Sequence, residues 1–259
     1  MQANPSHPPA ALATASVVIP ARYGSTRFPA KILASDTGRP LVQHVVDQVR
    51  QCKRVRRTIV ATDDQRIVDA LTPFGTDVVL TSPAHQSGTD RVAEVAEGLE
   101  DQIIVNVQGD EPEIEPAVID LLIERMQVEA DDMATAATPF KPSMDPANPN
   151  LVKVVTDLDG RALYFSRNPI PFHRDAADPV PQYMLHLGIY AYRRSFLLQY
   201  AKLSQTTLEK AEKLEQLRAL EHGKRIFVLT VDRATHGIDT AEQYAEFVER
   251  NRTPGVGRP

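Results

Sequence analysis

Cysteine is almost absent. The 259 residues contain one, Cys52, which excludes an intrachain disulfide and any metal site built from several thiolates. It follows a helical stretch as a small residue, and no Cys/His arrangement supports a catalytic thiol. The cell interior is the default compartment for such a chain. Long apolar runs are missing too. None approaches the ~20 residues that span a bilayer, so no membrane insertion is expected. The opening MQANPSHPPAALATA has neither a charged leader nor a long apolar core, and it reads as an Ala/Pro tail rather than a signal peptide. There is no excess of positive charge: 29 Lys and Arg stand against 34 Asp and Glu, a net −5, which argues against nucleic acid as a partner. Neither GxxxxGK[ST] nor GxGxxG occurs, so the chain carries no P-loop and no standard dinucleotide fingerprint.

What is present is an ordinary soluble composition, 42% hydrophobic and 24% charged, with length for one large α/β domain or two small ones. SVVIPA is a short apolar run ending in a loop, as a buried parallel strand would. RPLVQHVVDQVRQC follows, with Leu41, Val42, Val45, Val46 and Val49 on one helical face behind Pro40. RTIVATD and DVVL read as strands, DQRIVDALTPFG and GTDRVAEVAEGL as helices. QIIVNVQGDEP is a strand running into an acidic turn, and EPAVIDLLIERMQ a further helix. Strand and helix thus alternate four times over 16–127, which predicts a parallel sheet wrapped by helices. Ligands of such sheets bind beyond the carboxyl ends of the strands. There the loops ARYGSTRFPAK, TDD and QGDEP are expected to converge on one crevice.

The pattern changes near Met133. MATAATPF, LVKVVTD, RALYFSR and MLHLGIYAY read as strands, with a hairpin turn at DLDG. SFLLQYAKL and one charged helix, TLEKAEKLEQLRALEHG, follow, the helix ending at Gly223. Then come the strand RIFVLTVD and a closing helix capped by Asp239 or Thr240. No repeat or linker divides the chain. The expected organisation is a single α/β domain over 16–252, its mostly parallel sheet wrapped by helices, between tails at 1–15 and 253–259. Residues 16–130 form the alternating half and 131–252 a strand-rich half.

Three cations, Arg22, Arg27 and Lys31, crowd the small-residue loop after the first strand of this acidic chain. Cations and loop amides near Gly24 and Ser25 suit a polyphosphate; three solvated surface charges are the plainer alternative. In QGDEP, Asp110 and Glu111 lie just past an apolar strand, where a carboxylate can hold Mg²⁺ together with phosphates. A capping acid at Glu111 or Glu113 is the competing role for that turn. Asp239 in HGIDT is a second candidate acid, or else the cap of the last helix.

PARYGSTRFPAK, ATDD, HQSGTDR, VNVQGDEP, NPNLVKVV, ALYFSR, HLGIYAY, EKLEQLR and GIDT occur in this order over 17–240. Together they closely resemble the 3-deoxy-manno-octulosonate (Kdo) cytidylyltransferases, or CMP-Kdo synthetases, over nearly the whole chain. The fold that this implies is the sugar nucleotidyltransferase one, with 16–130 as its nucleotide-binding half and 131–252 as its sugar-binding and dimerisation half. The resemblance implies attack of the Kdo 2-hydroxyl on the α-phosphorus of CTP, giving CMP-Kdo and pyrophosphate. It assigns Arg22, Arg27 and Lys31 to the triphosphate, and Asp110 and Asp239 to Mg²⁺. Ser87 and Gly88 would face the cytosine. Arg167, His186, Glu215 and Gln216 would form the sugar pocket. Without it, His186 would be a structural histidine, Glu215 and Gln216 a solvated helix face, Arg167 a surface ion pair, and Leu214 and Leu217 core residues. It also implies a cytoplasmic homodimer formed by the strand-rich half, serving lipopolysaccharide synthesis. A cytidylyltransferase for an acylneuraminate or another Kdo-like ulosonate is an alternative, as is a catalytically silent nucleotide-binding relative. One departure concerns the loop: PAKIL stands where the family pattern is closer to PGKPL, so Ala30 restricts the backbone if that position needs a positive φ. The segment NPIPFHRDAADPVPQYM is expected to be a flexible Pro-rich loop near the sugar entrance.

Overall fold

The computed structural model describes residues 13–24, 28–175, 177, 179–232 and 237–251. Alternation over the first half gives β1 (Ala15–Pro20), α1 (Leu41–Val49), β2 (Val55–Thr62), α2 (Gln65–Leu71), β3 (Asp77–Leu80), α3 (Gly88–Glu97), β4 (Ile103–Asn106) and α4 (Pro116–Val128). The second half adds β5 (Met133–Pro139), β6 (Lys153–Thr156), β7 (Ala162–Ser166), β8 (Met184–Arg193), α5 (Arg194–Tyr200), α6 (Thr207–Glu212), α7 (Gln216–Glu221), β9 (Ile226–Thr230) and α8 (Ala241–Asn251). All nine strands join one sheet, whose main path runs β3-β2-β1-β4-β8-β5-β9. Along that path only β8 runs against the others. The hairpin of β6 and β7 turns at 157–160 and joins β8 through Lys153 and Leu185. Ala15 belongs to β1 and is buried, so the ordered chain reaches into the expected N-terminal tail.

Alternating side chains of β1 feed both layers, because successive residues of a strand face opposite sides. Val17 and Ile19 pack with α1 and α4. Val18 packs with α3, α5 and α7. Each helix buries the stripe its sequence spells: Leu41, Val42, Val45, Val46 and Val49 of α1 are all fully covered. A third cluster holds α8 in place, with Tyr244 and Phe247 packed around Leu41 and Ile238. The Tyr244 hydroxyl also accepts from the Asp36 amide at 2.8 Å. This docking carries Asp239, just ahead of α8, to the loop after β1.

Two expectations are corrected. The charged helix breaks into α6 and α7 because Lys213 adopts a left-handed conformation, φ 53°. Leu214 and Leu217 can then turn into the core. Neither Glu111 nor Glu113 caps α4: the helix starts at Pro116 behind Glu115, and Glu113 instead pairs with Arg250 at 2.9 Å. Thr240 caps α8, its Oγ1 accepting from the Gln243 amide at 3.3 Å.

Ala30 has φ 55° and ψ 21°. The position where the family pattern has glycine therefore does require the left-handed region, which costs a Cβ-bearing residue roughly 1–2 kcal/mol. Ala30→Gly relieves this and loosens the unfolded chain. A net gain of about 0.5–1 kcal/mol is expected, read as a rise of about 2 °C in Tm; an unchanged or lower Tm would contradict strain at this position.

Candidate active site

The strand order reverses beside β1: β2 lies on one side and β4 on the other. Loops leaving the carboxyl ends of β1 and β4 must diverge there and leave a crevice. Its cavity of about 390 Å³ is lined by Pro20, Arg22, Gly24, Lys31, Ile32, Gly88, Gln108, Gly109, Asp110 and Asp239. Gly109 is needed for the close approach of the two loops, since a Cβ there would lie 3.0 Å from the Pro20 carbonyl oxygen. Gly88 faces Pro20 across the crevice, and its missing Cβ would sit 3.4 Å from Pro20 Cγ.

Lys31 is the centre of the charge arrangement. Its side chain is only 8% exposed, and Nζ lies 2.6 Å from Asp110 Oδ2 and 3.4 Å from Asp239 Oδ1. The backbone reinforces the pairing, because the Ile238 amide donates to the Asp110 carbonyl at 2.8 Å. Asp110 and Asp239 so stand on two sides of one ammonium, two hard oxygen donors beside a cationic loop. Among the described residues no cluster of three or more His, Cys, Asp or Glu could hold a metal ion. This pair of carboxylates fits a cation such as Mg²⁺, which keeps waters and takes phosphate oxygens for the rest of its shell. Arg22 points the same way and donates to the His85 carbonyl at 3.4 Å. Arg27 and Ser25 lie outside the described residues.

Ser87 caps α3 by accepting from the Asp90 amide at 3.1 Å, and Asp90 returns a bond to the Ser87 amide. Gly88 therefore opens the helix at the crevice wall. TDD is a correction to the expected convergence: neither Asp63 nor Asp64 lines the crevice. Asp63 pairs with the fully buried Arg91 at 2.8 Å, and Asp64 caps α2.

The half-buried face of β8 lies beside the turn after β4. Along β8 the odd-numbered Leu185, Leu187 and Ile189 are buried, while Met184, His186, Gly188 and Tyr190 on the other face are half-buried. His186 Nε2 meets Thr135 Oγ1 at 3.0 Å, and its ring lies between those of Phe165 and Tyr190. Burial lowers its pKa to about 3, so it is neutral at pH 7. Glu111 reaches toward the same strand: a Cβ on Gly188 would lie 3.5 Å from its Oε1. Burial, with the neighbouring Asp110 charge, pushes the Glu111 carboxyl up to about 8. Glu215 accepts from Thr89 Oγ1 at 2.8 Å, and burial raises its pKa. Gln216 is buried with its Nε2 lacking a partner. Neither residue is the solvated helix face that charge alone suggests.

Arg167 stands apart from these. Its guanidinium donates to the carbonyls of Glu212 at 2.6 Å, Pro149 at 2.8 Å and Lys213 at 3.3 Å. Beside it the fully buried Lys153 donates to the carbonyls of Asn148, Leu151 and Arg167. Together they tie the 145–152 loop and the end of β7 to the corner that carries Glu215. Gln108, Tyr190 and Lys153 escaped the sequence reading, and Glu111 and Thr89 entered it only as candidates for helix ends. The motifs QGDEP, HQSGTDR, HLGIY and NPNLVKVV contain them, but nothing in a one-dimensional pattern shows which way each side chain points.

A cytidylyltransferase family model matches residues 16–226. The 3-deoxy-manno-octulosonate cytidylyltransferase of Trichlorobacter lovleyi is 49% identical over 243 residues, covering 90% of this chain and 96% of the relative. The chain belongs to the 3-deoxy-manno-octulosonate cytidylyltransferase family. The Geobacter sulfurreducens member is 47% identical, over 91% of this chain and 98% of its own. A solved CMP:2-keto-3-deoxy-manno-octonic acid synthetase complexed with CTP superposes with a TM-score of 0.87 at 40% identity, covering 92% and 98% of the two chains. The 4-diphosphocytidyl-2C-methyl-D-erythritol synthase of Anaerococcus prevotii, at 14% identity and a TM-score of 0.61, shares the fold. The expected α/β nucleotidyltransferase architecture and family are thus established.

His186 gives this family member a pH signature. The folded chain holds it neutral with a pKa of about 3, below its usual 6.5. Its contribution to stability is full above pH 6.5 and is lost progressively as pH falls toward 3. Since His186 is only half-buried, the penalty between pH 7 and 5 is about 1 kcal/mol. Urea unfolding at the two pH values should show His186→Gln losing that much less stability than the wild type; equal losses would rule out a buried neutral histidine.

Proposed function

We propose that the chain activates Kdo with CTP, releasing pyrophosphate and forming CMP-Kdo for lipopolysaccharide synthesis. The observation that carries this is the Lys31–Asp110–Asp239 cluster at the strand-order reversal of a family member. CTP lies along the first crevice, its triphosphate near Arg22 and Lys31, with Arg27 on the same loop. Ser87 and Gly88 open α3 toward the cytosine. Kdo lies at the half-buried face of β8, bounded by His186, Glu215 and Gln216. The buried Gln216 amide, without a protein partner, suits a ligand hydroxyl or carboxylate there. Arg167 contributes by shaping this wall, and its exposed fork can turn to the sugar carboxylate.

In-line displacement at phosphorus needs alignment and charge neutralisation more than covalent help. Asp110 and Asp239 would hold Mg²⁺, which when bound polarises the α-phosphate and lowers the pKa of the sugar hydroxyl. Lys31 keeps those carboxylates side by side. Arg22 neutralises charge on the departing pyrophosphate. His186, neutral and hydrogen bonded, orients rather than abstracts a proton.

The cytoplasm is the compartment that fits one cysteine in the chain and no described helix long and apolar enough to cross a membrane. Leu158, Leu163, Phe172 and Val180 expose apolar side chains within the strand-rich half, which supports a homodimer through that half. Light scattering should give twice the mass of one chain, and Leu163→Glu should lower it; a monomeric wild type would refute the dimer.

Pyrophosphate release should require CTP, Kdo and Mg²⁺ together. Faster turnover of an acylneuraminate than of Kdo would reassign the sugar, and none with any sugar despite CTP binding would mark a silent relative. Asp110→Asn and Asp239→Asn should each lower turnover by about 100-fold or more while the fold persists. Near-normal rates in both would remove the metal assignment.

A further inference from the structure

One hydrogen bond joins the crevice wall to the corner that carries Glu215. Gly88, the first residue of α3, lines the crevice. Thr89, the next residue, is buried and turns its hydroxyl the other way, donating to Glu215 Oε2 at 2.8 Å across 126 residues of sequence. Among the described residues it is the only donor to that carboxylate. Arg218, the nearest cation on α7, is committed to Glu209, with bonds of 2.9 and 2.5 Å. The main chain at Glu215 is fixed separately, by the Tyr200 hydroxyl donating to its carbonyl. The side chain, by contrast, depends on Thr89.

We propose that Thr89 is a positioning residue for the acceptor sugar: its hydroxyl holds the Glu215 carboxylate in the orientation that binds sugar hydroxyls. This rests on the functional reading above. A carboxylate accepts through both oxygens, and Thr89 occupies Oε2, leaving Oε1 for a hydroxyl of the substrate. The β-branched Thr89 has few rotamers on a helix, so the hydroxyl is aimed by the backbone. That backbone is fixed in turn by the Ser87–Asp90 capping box at the crevice wall. A single rigid residue step therefore sets the distance between the nucleotide wall and the sugar acid. Without the hydroxyl, the half-buried carboxylate would lose the only donor it has among the described residues and swing or protonate. Sugar binding would suffer, and the crevice, which Thr89 does not line, would not.

Steady-state pyrophosphate release tests this with Thr89→Val, nearly isosteric, and Thr89→Ser, which keeps the hydroxyl. Thr89→Val is expected to raise KM for Kdo about 10-fold or more with KM for CTP within about two-fold. Thr89→Ser is expected to stay close to wild type. Thr89→Ala carries the same expectation should the valine variant not fold. An unchanged KM for Kdo, equal rises for both substrates, or a serine variant as impaired as valine would overturn the role of Thr89 while leaving the reaction intact. A wild type that releases no pyrophosphate from CTP and Kdo would overturn the functional reading itself, and this inference with it.

Discussion

One ammonium organises this molecule. Lys31 comes from the loop after β1, Asp110 from the turn after β4, and Asp239 from the approach to α8, 208 residues away from Lys31. A nearly buried lysine is costly unless its charge is matched and its protons are bonded. The two carboxylates meet that need, and so three remote stretches of chain must arrive together for any of them to be stable. Removing one partner of such a pair typically costs about 3–5 kcal/mol, because the others are left uncompensated. The same constraint fixes the crevice, since the loops carrying these residues are its walls.

The rest of the architecture serves that meeting point. The central parallel strands bring the loops after β1 and β4 side by side, and Gly109 lets them touch. The aromatic cluster of Tyr244, Phe247 and Phe28 seats α8, without which Asp239 would have no reason to be near Lys31. On the other side, β8 runs against its neighbours and keeps one face half-buried. Lys153 and Arg167 each donate three bonds to backbone carbonyls there, so the corner with Glu215 and Gln216 is held by main-chain geometry rather than by packing alone. The crevice is open and charged, while the half-buried face of β8 carries neutral or protonatable groups.

Much of this was legible in residue order. Four strand-helix alternations marked the parallel half, the Ser87–Asp90 box marked the start of α3, and an acid past an apolar strand marked Asp110. Legibility failed where local pattern and tertiary demand conflict. TLEKAEKLEQLRALEHG has the composition of one helix, yet the core requires Leu214 and Leu217 inside, and Lys213 takes a left-handed turn to allow it. TDD looked like a third ligand loop, but Arg91, buried and in need of a counter-ion, claims Asp63.

The sequence by itself determined the elements, the crevice at the carboxyl ends of the strands, and the family, because periodicity, capping and motif order are properties of neighbouring residues. Only the tertiary structure decided which charges pair and which polar groups are buried. Lys31 between two acids, Arg167 turned onto carbonyls, and Thr89 beneath Glu215 each depend on residues tens to hundreds of positions apart. Hydrogen bonds and ion pairs act over a few ångströms of space, and the chain sets those distances only once it is folded.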